Sequence, residues 1–309
     1  MKILIIGAGT IGLTYSWLLS SYHDVAVYVR PKKKATCELS YSFDIEDLRE
    51  KTSKQFAYTP NITDVITNDE YDVVLVMVNR IQLADVLPML CECTNIVFML
   101  NHWDIDSEVK KVLLPAQYFY GFPSQVGGGR EGNKIEAVVF DEGTVLGEAD
   151  GIPTERLARL ERAFKQAGLA VEVKTDILSW LKVHYLQQSL SAGGIAKAGS
   201  YENFAGSYRA VKEMVYAFRE GVAVCEAQGI RTKKIFPANM FRYPALLVAW
   251  AMKGMFNKPE TVRMVTGHMK QGMPEWIAGF NEVMEDGERL GVNMPVWKSY
   301  KPYVDSYIQ

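Results

Sequence analysis

Residues 2–20 read KILIIGAGTIGLTYSWLLS, and this stretch restricts the possible folds more than any other part of the chain. Lys2–Ile6 is an aliphatic, β-branched run of the kind buried on both faces of a parallel sheet. Gly7, Ala8, Gly9, Thr10, Ile11 and Gly12 follow without a gap, and residues 13–20 continue as a helix-compatible segment. Strand, G-x-G-x-x-G and helix in this order form a dinucleotide fingerprint. Gly7 permits the tight turn, Gly9 lets the backbone approach a pyrophosphate, and Gly12 allows close packing of helix on strand. The helix N-terminus offers its N–H groups and positive dipole end to the phosphates.

The next strand, VAVYV (25–29), says which dinucleotide to expect. An NAD-binding unit places Asp or Glu near its end to accept from the ribose 2′-hydroxyl. Here the residue is Arg30, which accepts nothing and whose fork of donors suits a phosphate; Lys32, Lys33 and Lys34 add positive charge beyond it. The cofactor expected is NADP(H).

Two further buried strands, YDVVLVMVN (71–79) and NIVFMLN (95–101), deliver Asn79 and Asn101 to their carboxyl ends. With the glycine loop and Arg30, four strands thus bring polar or glycine residues to one sheet edge, where open α/β sheets bind ligands. GFPSQVGGGREGN (121–133) reads as a loop. KIEAVVF (134–140) and GTVLGE (143–148) read as an antiparallel hairpin joined at Asp141 and Glu142. A helix over 153–166 leads to a last strand, LAVEV (169–173).

Beyond Thr175 helical patterns take over. Over 207–230, Val211, Met214, Val215, Phe218, Val222 and Cys225 recur at helical spacing, with Ser207 as N-cap and Gly229 as the stop. Helices are expected at 259–271, 274–290 and 296–307. The class is therefore α/β: a Rossmann-type, doubly wound domain over 1–175, then an all-helical substrate or dimerisation domain over 176–309. At 309 residues, two domains are the natural division.

A net charge of -2 offers no basic field for a nucleic acid backbone. The longest later apolar run, ALLVAWAM (245–252), is far short of the roughly 20 residues of a membrane span, so no membrane partner is expected. Four cysteines, Cys37, Cys91, Cys93 and Cys225, form neither a zinc spacing nor a disulfide framework, which fits a reducing cytoplasm. His184 and His268 have no metal-spaced partners, so no metal is expected, and His102, after Asn101, is a lone polar loop histidine that forms no triad. The apolar C-terminal helices permit a homodimer without demanding one.

The first helix of the second domain spans 176–199, with Asp176 as a plausible N-cap. Leu178, Ser179, Tyr185 and Leu186 are the helical neighbours of Lys182, and Ser189 and Gly193 lie farther along that face. Burial on this stripe lowers the pKa of an ammonium and makes it a better proton donor. The same stripe also lets Lys182 snorkel to solvent.

Taken together, these segments resemble the ketopantoate reductase family (2-dehydropantoate 2-reductases) over nearly the whole chain. The resemblance rests on ILIIGAGTIG with Arg30, Asn101 after VFML, GGGREGNKIEAVVF, SWLK at Lys182, and EWIAGFNEVMEDGERLGVNMPVWKSY with its turn at 291–295. It implies hydride transfer from a nicotinamide, at a cleft between domains, to the C2 ketone of a small 2-oxo acid. Lys182 would then protonate the developing alkoxide, Asn101 would lie by nicotinamide ribose and substrate, and the backbone of Gly128 would touch the cofactor. Asn203, Thr261 and Glu275 fall at or near substrate positions.

The departures are equally specific. Where the family has substrate-holding asparagines four and eight residues after the lysine, this chain has Leu186 and Leu190. Met273 stands at the place of a family glutamate, with Glu275 two residues on as a substitute or as a complement to the helix dipole. Asn79 replaces a family lysine, while Gln82 keeps a glutamine, and Asn257 lies near a family asparagine. The expectation is an NADPH-dependent 2-oxo acid reductase with an altered, less polar substrate. The alternative is a non-catalytic NADP-binding sensor or scaffold with a decayed substrate site. Asn101 and Lys182 favour the enzyme; Met273 and the two leucines favour the sensor.

Overall fold

The computed structural model describes residues 1–34, 40–67 and 70–307, and of Lys270 only the backbone. Cys37 lies outside the described residues. The chain divides into two compact units, Met1–Leu178 and Ser179–Gln309.

The first unit begins with β1 (Lys2–Ile6), α1 (Thr10–Ser20), β2 (Asp24–Tyr28), α2 (Pro31–Lys34), β3 (Tyr41–Asp47), β4 (Thr52–Tyr58) and β5 (Asn61–Thr63). Next come β6 (Val73–Val76), α3 (Arg80–Val86), β7 (Ile96–Met99), α4 (Ile105–Val109) and β8 (Tyr118–Phe122). It closes with β9 (Val126–Glu131), β10 (Lys134–Val139), β11 (Thr144–Gly147), α5 (Glu155–Gln166) and β12 (Val171–Val173).

The main sheet has the order β12-β11-β8-β7-β6-β1-β2-β5. From β5 across to β8 every pairing is parallel; β11 runs antiparallel to β8 and parallel to β12. The chain winds outward from β1 to β2, then returns to lay β6, β7 and β8 on the other side. That reversal between β1 and β6 is the switch point of a doubly wound fold, and the Rossmann-type α/β class expected from the sequence holds. The four inner residues of β1 are buried because parallel strands are covered on both faces.

A second sheet, β4-β3-β10-β9, corrects the sequence reading in two places. Residues 134–140 and 143–148 do not pair with each other: β10 pairs with β9 and β3, while β11 pairs with β8 and β12 in the main sheet. The hairpin is instead β9–β10, turning at Gly132 and Asn133, a two-residue turn with Gly132 at φ +56°. The glycine-rich run read as a loop therefore contains a strand. α1 packs against β9 and β10 as well as against β1 and β2. α1 is thus buried on almost every side, with Leu13, Tyr15 and Leu19 sealed from solvent. Each such burial contributes roughly 1.5–3 kcal/mol. Tyr15 donates to Thr144 Oγ1 at 2.6 Å, and Thr144 passes its own proton to Gln125 Oε1 at 2.8 Å. Toward the small sheet, Ser16 and Tyr58 share a hydrogen bond of 2.8 Å.

The second unit is helical: α6 (Ile177–Ala198), whose first residues belong to the first unit, α7 (Tyr201–Gly206), α8 (Tyr208–Ala227), α9 (Ala245–Phe256), α10 (Pro259–Arg289), α11 (Pro295–Ser299) and α12 (Lys301–Tyr307). α8 is its centre, packing against α7, α9, α10 and α11. Ser207 caps α8 by accepting from the Ala210 N–H, and all six residues at the expected apolar spacing are buried. The Glu220 carboxylate accepts from the Val296 and Trp297 N–H groups at 3.0 and 2.7 Å, capping α11 from a neighbouring helix. Two helices expected at 259–271 and 274–290 are one: Pro274 sits inside α10. The helix expected at 296–307 is two, divided at Tyr300.

Candidate functional site

The carboxyl ends of β7, β6, β1 and β2 are consecutive in the sheet, so Asn101, Asn79, the glycine loop and Arg30 lie along one edge. Gly7 has φ +131°, and a Cβ there would lie 2.3 Å from the carbonyl oxygen of Met77, just past β6. A Cβ on Gly12 would lie 1.9 Å from the Gly7 carbonyl oxygen. Both glycines are demanded by backbone packing. Gly9 differs: a Cβ there meets nothing within 4 Å. It caps α1 with no side-chain hydrogen bond to the first-turn N–H groups. Ala8, Thr10 and Ile11 are half-buried beside it. An open, uncapped helix N-terminus at a switch point fits the pyrophosphate of a dinucleotide.

Arg30 stands two residues beyond β2 with its guanidinium half in solvent, 3.3 Å from the carboxylate of Asp85 on α3. Lys34 is engaged with Asp64 at 2.7 Å. Asn79 spends its side-chain oxygen on the Gln82 N–H at 3.0 Å, capping α3. Asn101 is half-buried, and next to it His102 accepts from the Asp104 N–H through Nδ1 at 3.1 Å. Burial, reinforced by the positive charge of Arg80, pushes His102 down to about 4, so the imidazole is neutral near pH 7.

Gly128 is buried at φ +144° in β9, where a Cβ would lie 2.1 Å from the Glu136 carbonyl oxygen, so strand pairing itself requires a glycine. Two residues on, Arg130 donates to the Ala8 carbonyl at 2.5 Å and to the Gly132 carbonyl at 2.7 Å, with its guanidinium 5.0 Å from the Tyr41 ring centre. Sequence reasoning quoted this arginine without giving it a role. Nor did it single out Arg80 or Asp85, whose charges act on His102 and Arg30. Their adjacency to Asn79 and Gln82 was the signal available.

In the helical unit Lys182 is half-buried in the second turn of α6. Its charge reaches Cys225 on α8, whose thiol burial pushes up to about 12 against that charge. Tyr185, one turn on, donates to the Glu282 carboxylate of α10 at 2.8 Å. Leu186 is fully buried, close to where a side chain on Gly221 would stand, and Leu190 is buried as well. Met273 is buried, and Glu275 is half-buried on α10. Thr261 is buried in the first turn of α10. The fourteen steps from Thr261 to Glu275 correspond to about 21 Å along a helix, more than a small 2-oxo acid spans. Asn203 bonds back to the Ala198 carbonyl at 3.1 Å, and Asn257 to the Ala205 and Lys253 carbonyls, so both brace helix ends. Among the described residues no cluster of three His, Cys, Asp or Glu side chains could hold a metal ion.

Comparison with known proteins agrees with this geometry. The family model described as "Ketopantoate reductase PanE/ApbA" matches residues 3–151. A curated 2-dehydropantoate 2-reductase of Bacillus subtilis (strain 168) is 34% identical over 103 residues, 33% of this chain and 33% of that protein. The aligned stretch thus spans about a third of the curated relative. In three dimensions the chain is similar to a 2-dehydropantoate 2-reductase from Geobacter metallireducens GS-15, with TM-score 0.72 and 18% identity over 99% of this chain and 100% of that one. It is also similar to D-mandelate dehydrogenase in a ternary structure with NADH and anilino(oxo)acetate, with TM-score 0.70 and 14% identity over 99% and 98% of the two chains. At these identities the solved structures speak for the fold. Over residues 3–151 the chain matches the ketopantoate reductase family model, and along its whole length it shares the fold of solved 2-dehydropantoate 2-reductases.

Proposed function

We propose that the protein is an NADPH-dependent reductase of a 2-oxo acid, with a substrate less polar than ketopantoate. The observation that carries this reading is the sheet edge where the open Gly9 cradle, Arg30 and Asn101 converge. Residues 7–12 hold the pyrophosphate through the α1 N-terminus, and Arg30 recognises the 2′-phosphate, exchanging Asp85 for it. When bound, the nicotinamide supplies a hydride to the substrate's C2 carbonyl carbon. Asn101 orients the reacting carbonyl, and the Lys182 ammonium gives a proton to its oxygen, so that ketone, hydride and proton yield an alcohol. Leu186 and Leu190 offer no hydrogen bonds where family members hold a polar substrate, which supports an acid without pantoate's hydroxyl. Asn203 remains a substrate contact in this proposal together with only one of Thr261 and Glu275, which lie too far apart along α10 to share one small acid.

The setting we propose is a reducing cytoplasm: Cys91, Cys93 and Cys225 are free thiols. The helical unit permits a homodimer. Sealing of Leu186 and Leu190 in apolar surroundings also favours a second reading, an NADP-binding sensor without turnover. NADPH oxidation against a panel of 2-oxo acids, ketopantoate and branched or aromatic acids included, separates them. Turnover of any acid, lost in Lys182→Ala, supports the reductase; tight NADPH binding with no turnover supports the sensor.

A further inference from the structure

α9 is apolar apart from Lys253 in its last turn, yet only one side is covered. Ala245, Val248 and Ala249 are buried, whereas Leu246 and Leu247 are exposed and Trp250 is 74% exposed. Leu246, Leu247 and Trp250 share one face of the helix, and Tyr243, in the extended segment just before it, is exposed too. At the roughly 150–250 Å² an aromatic side chain presents, the two rings alone leave on the order of 300 Å² open, the scale at which a patch marks an interaction site. Met240 extends the patch from the neighbouring 3-10 turn Met240–Arg242, which packs against α9.

The charge around this face is one-sided. Residues 229–258 contain Arg231, Lys233, Lys234, Arg242, Lys253 and Lys258 and no Asp or Glu, in a chain whose net charge is -2. Glu226 offsets Arg242 at 2.5 Å, and Glu260 lies 4.0 Å from Lys258; among the described residues the other four cations have no such acid. Arg219 of α8 adds a cation beside the patch, donating to the Phe241 and Tyr243 carbonyls.

We propose that this face is a docking surface for an anionic lipid bilayer, on which the protein rests peripherally. Aromatic and aliphatic side chains entering the headgroup boundary, with lysine and arginine around them, are what such a surface selects. Two copies meeting through it would oppose like charges, which disfavours self-association by this route. Among the described residues no helix is long and apolar enough to cross a membrane, but a surface helix needs only one face in the lipid.

The test is flotation of the full-length protein with vesicles of phosphatidylcholine alone or mixed with phosphatidylserine. About tenfold more protein should float with the anionic vesicles, declining as salt rises. Trp250→Glu, and separately the pair Lys233→Glu with Lys234→Glu, should each cut that binding about tenfold while NADPH binding and circular dichroism stay as in the wild type. No preference for phosphatidylserine, or wild-type flotation by both variants, overturns the proposal. So does a dimer that Trp250→Glu dissociates, or binding to polyglutamate, in a protein that ignores the vesicles.

Discussion

The Arg130 guanidinium donates to the carbonyl oxygen of Ala8 at 2.5 Å, tying the smaller sheet to the glycine loop after β1. The same side chain bonds the Gly132 carbonyl and lies over Tyr41, so it is held at both ends. Removing it frees the loop proposed to hold a pyrophosphate. Arg130→Ala should weaken dinucleotide binding about tenfold in a fluorescence titration, in line with the ~1.5–3 kcal/mol of a hydrogen bond to a charged group. Arg130→Lys should restore only part, because lysine lacks the fork that reaches both carbonyls. Unchanged affinity in Arg130→Ala would deny the loop-bracing role.

The three loop glycines should separate by experiment. Gly12→Ala sets a methyl group 1.9 Å from a backbone oxygen that has nowhere to go, so chemical denaturation should show a loss of about 3 kcal/mol or more. Gly9→Ala meets nothing in the protein, and its unfolding midpoint should match the wild type while nucleotide binding falls at least about tenfold. A Gly9→Ala protein that binds nucleotide normally would remove the phosphate from that place.

Asp85 lies 3.3 Å from Arg30, the guanidinium proposed to take the 2′-phosphate of the cofactor. Asp85→Asn should tighten NADPH by about threefold and leave NADH unchanged, the size of one exposed ion pair, with the gain vanishing at high salt. Arg30→Asp should weaken NADPH far more than NADH. Equal losses for both cofactors would refute recognition of the 2′-phosphate.

The first βαβ unit was legible because everything it needs is contiguous: an apolar strand, spaced glycines and a helix. Arg30, Asn79 and Asn101 could be placed because each ends a hydrophobic run. The smaller sheet was not legible. Its β4 reads TSKQFAY, an edge strand too polar to announce itself, and its β9 is half glycine, the residue most often taken for a loop. Asp141 and Glu142 looked like a hairpin turn, yet the strands on either side enter different sheets, a tertiary choice that local chemistry does not encode. In the helical unit the Ser207 cap and the α8 stripe were readable. The roles of Tyr185 and Glu282, ninety-seven residues apart, depend on packing that no spacing reveals.

Acid should weaken the fold through its buried histidines. His184 stacks on Trp180 with ring centres 4.7 Å apart, and burial pushes its pKa to about 4. The unfolded chain takes up that proton near the ordinary value of about 6.5, so between these values the unfolded state binds more protons. Stability from this group is complete above the ordinary value and is lost as pH falls toward the folded one; His102 acts in the same direction. Thermal midpoints should therefore drop from about pH 7 to about pH 5, and His184→Gln should flatten the slope. A slope untouched by the substitution would place the proton uptake elsewhere.

Lys182 is the proposed proton donor to a carbonyl reduced by NADPH. Stopped-flow NADPH oxidation with the best 2-oxo acid of the panel, wild type beside Lys182→Ala, tests this most directly. The predicted result is a fall of ~10²–10⁴ in the hydride-transfer rate with NADPH affinity unchanged. Equal rates in the two proteins would contradict it.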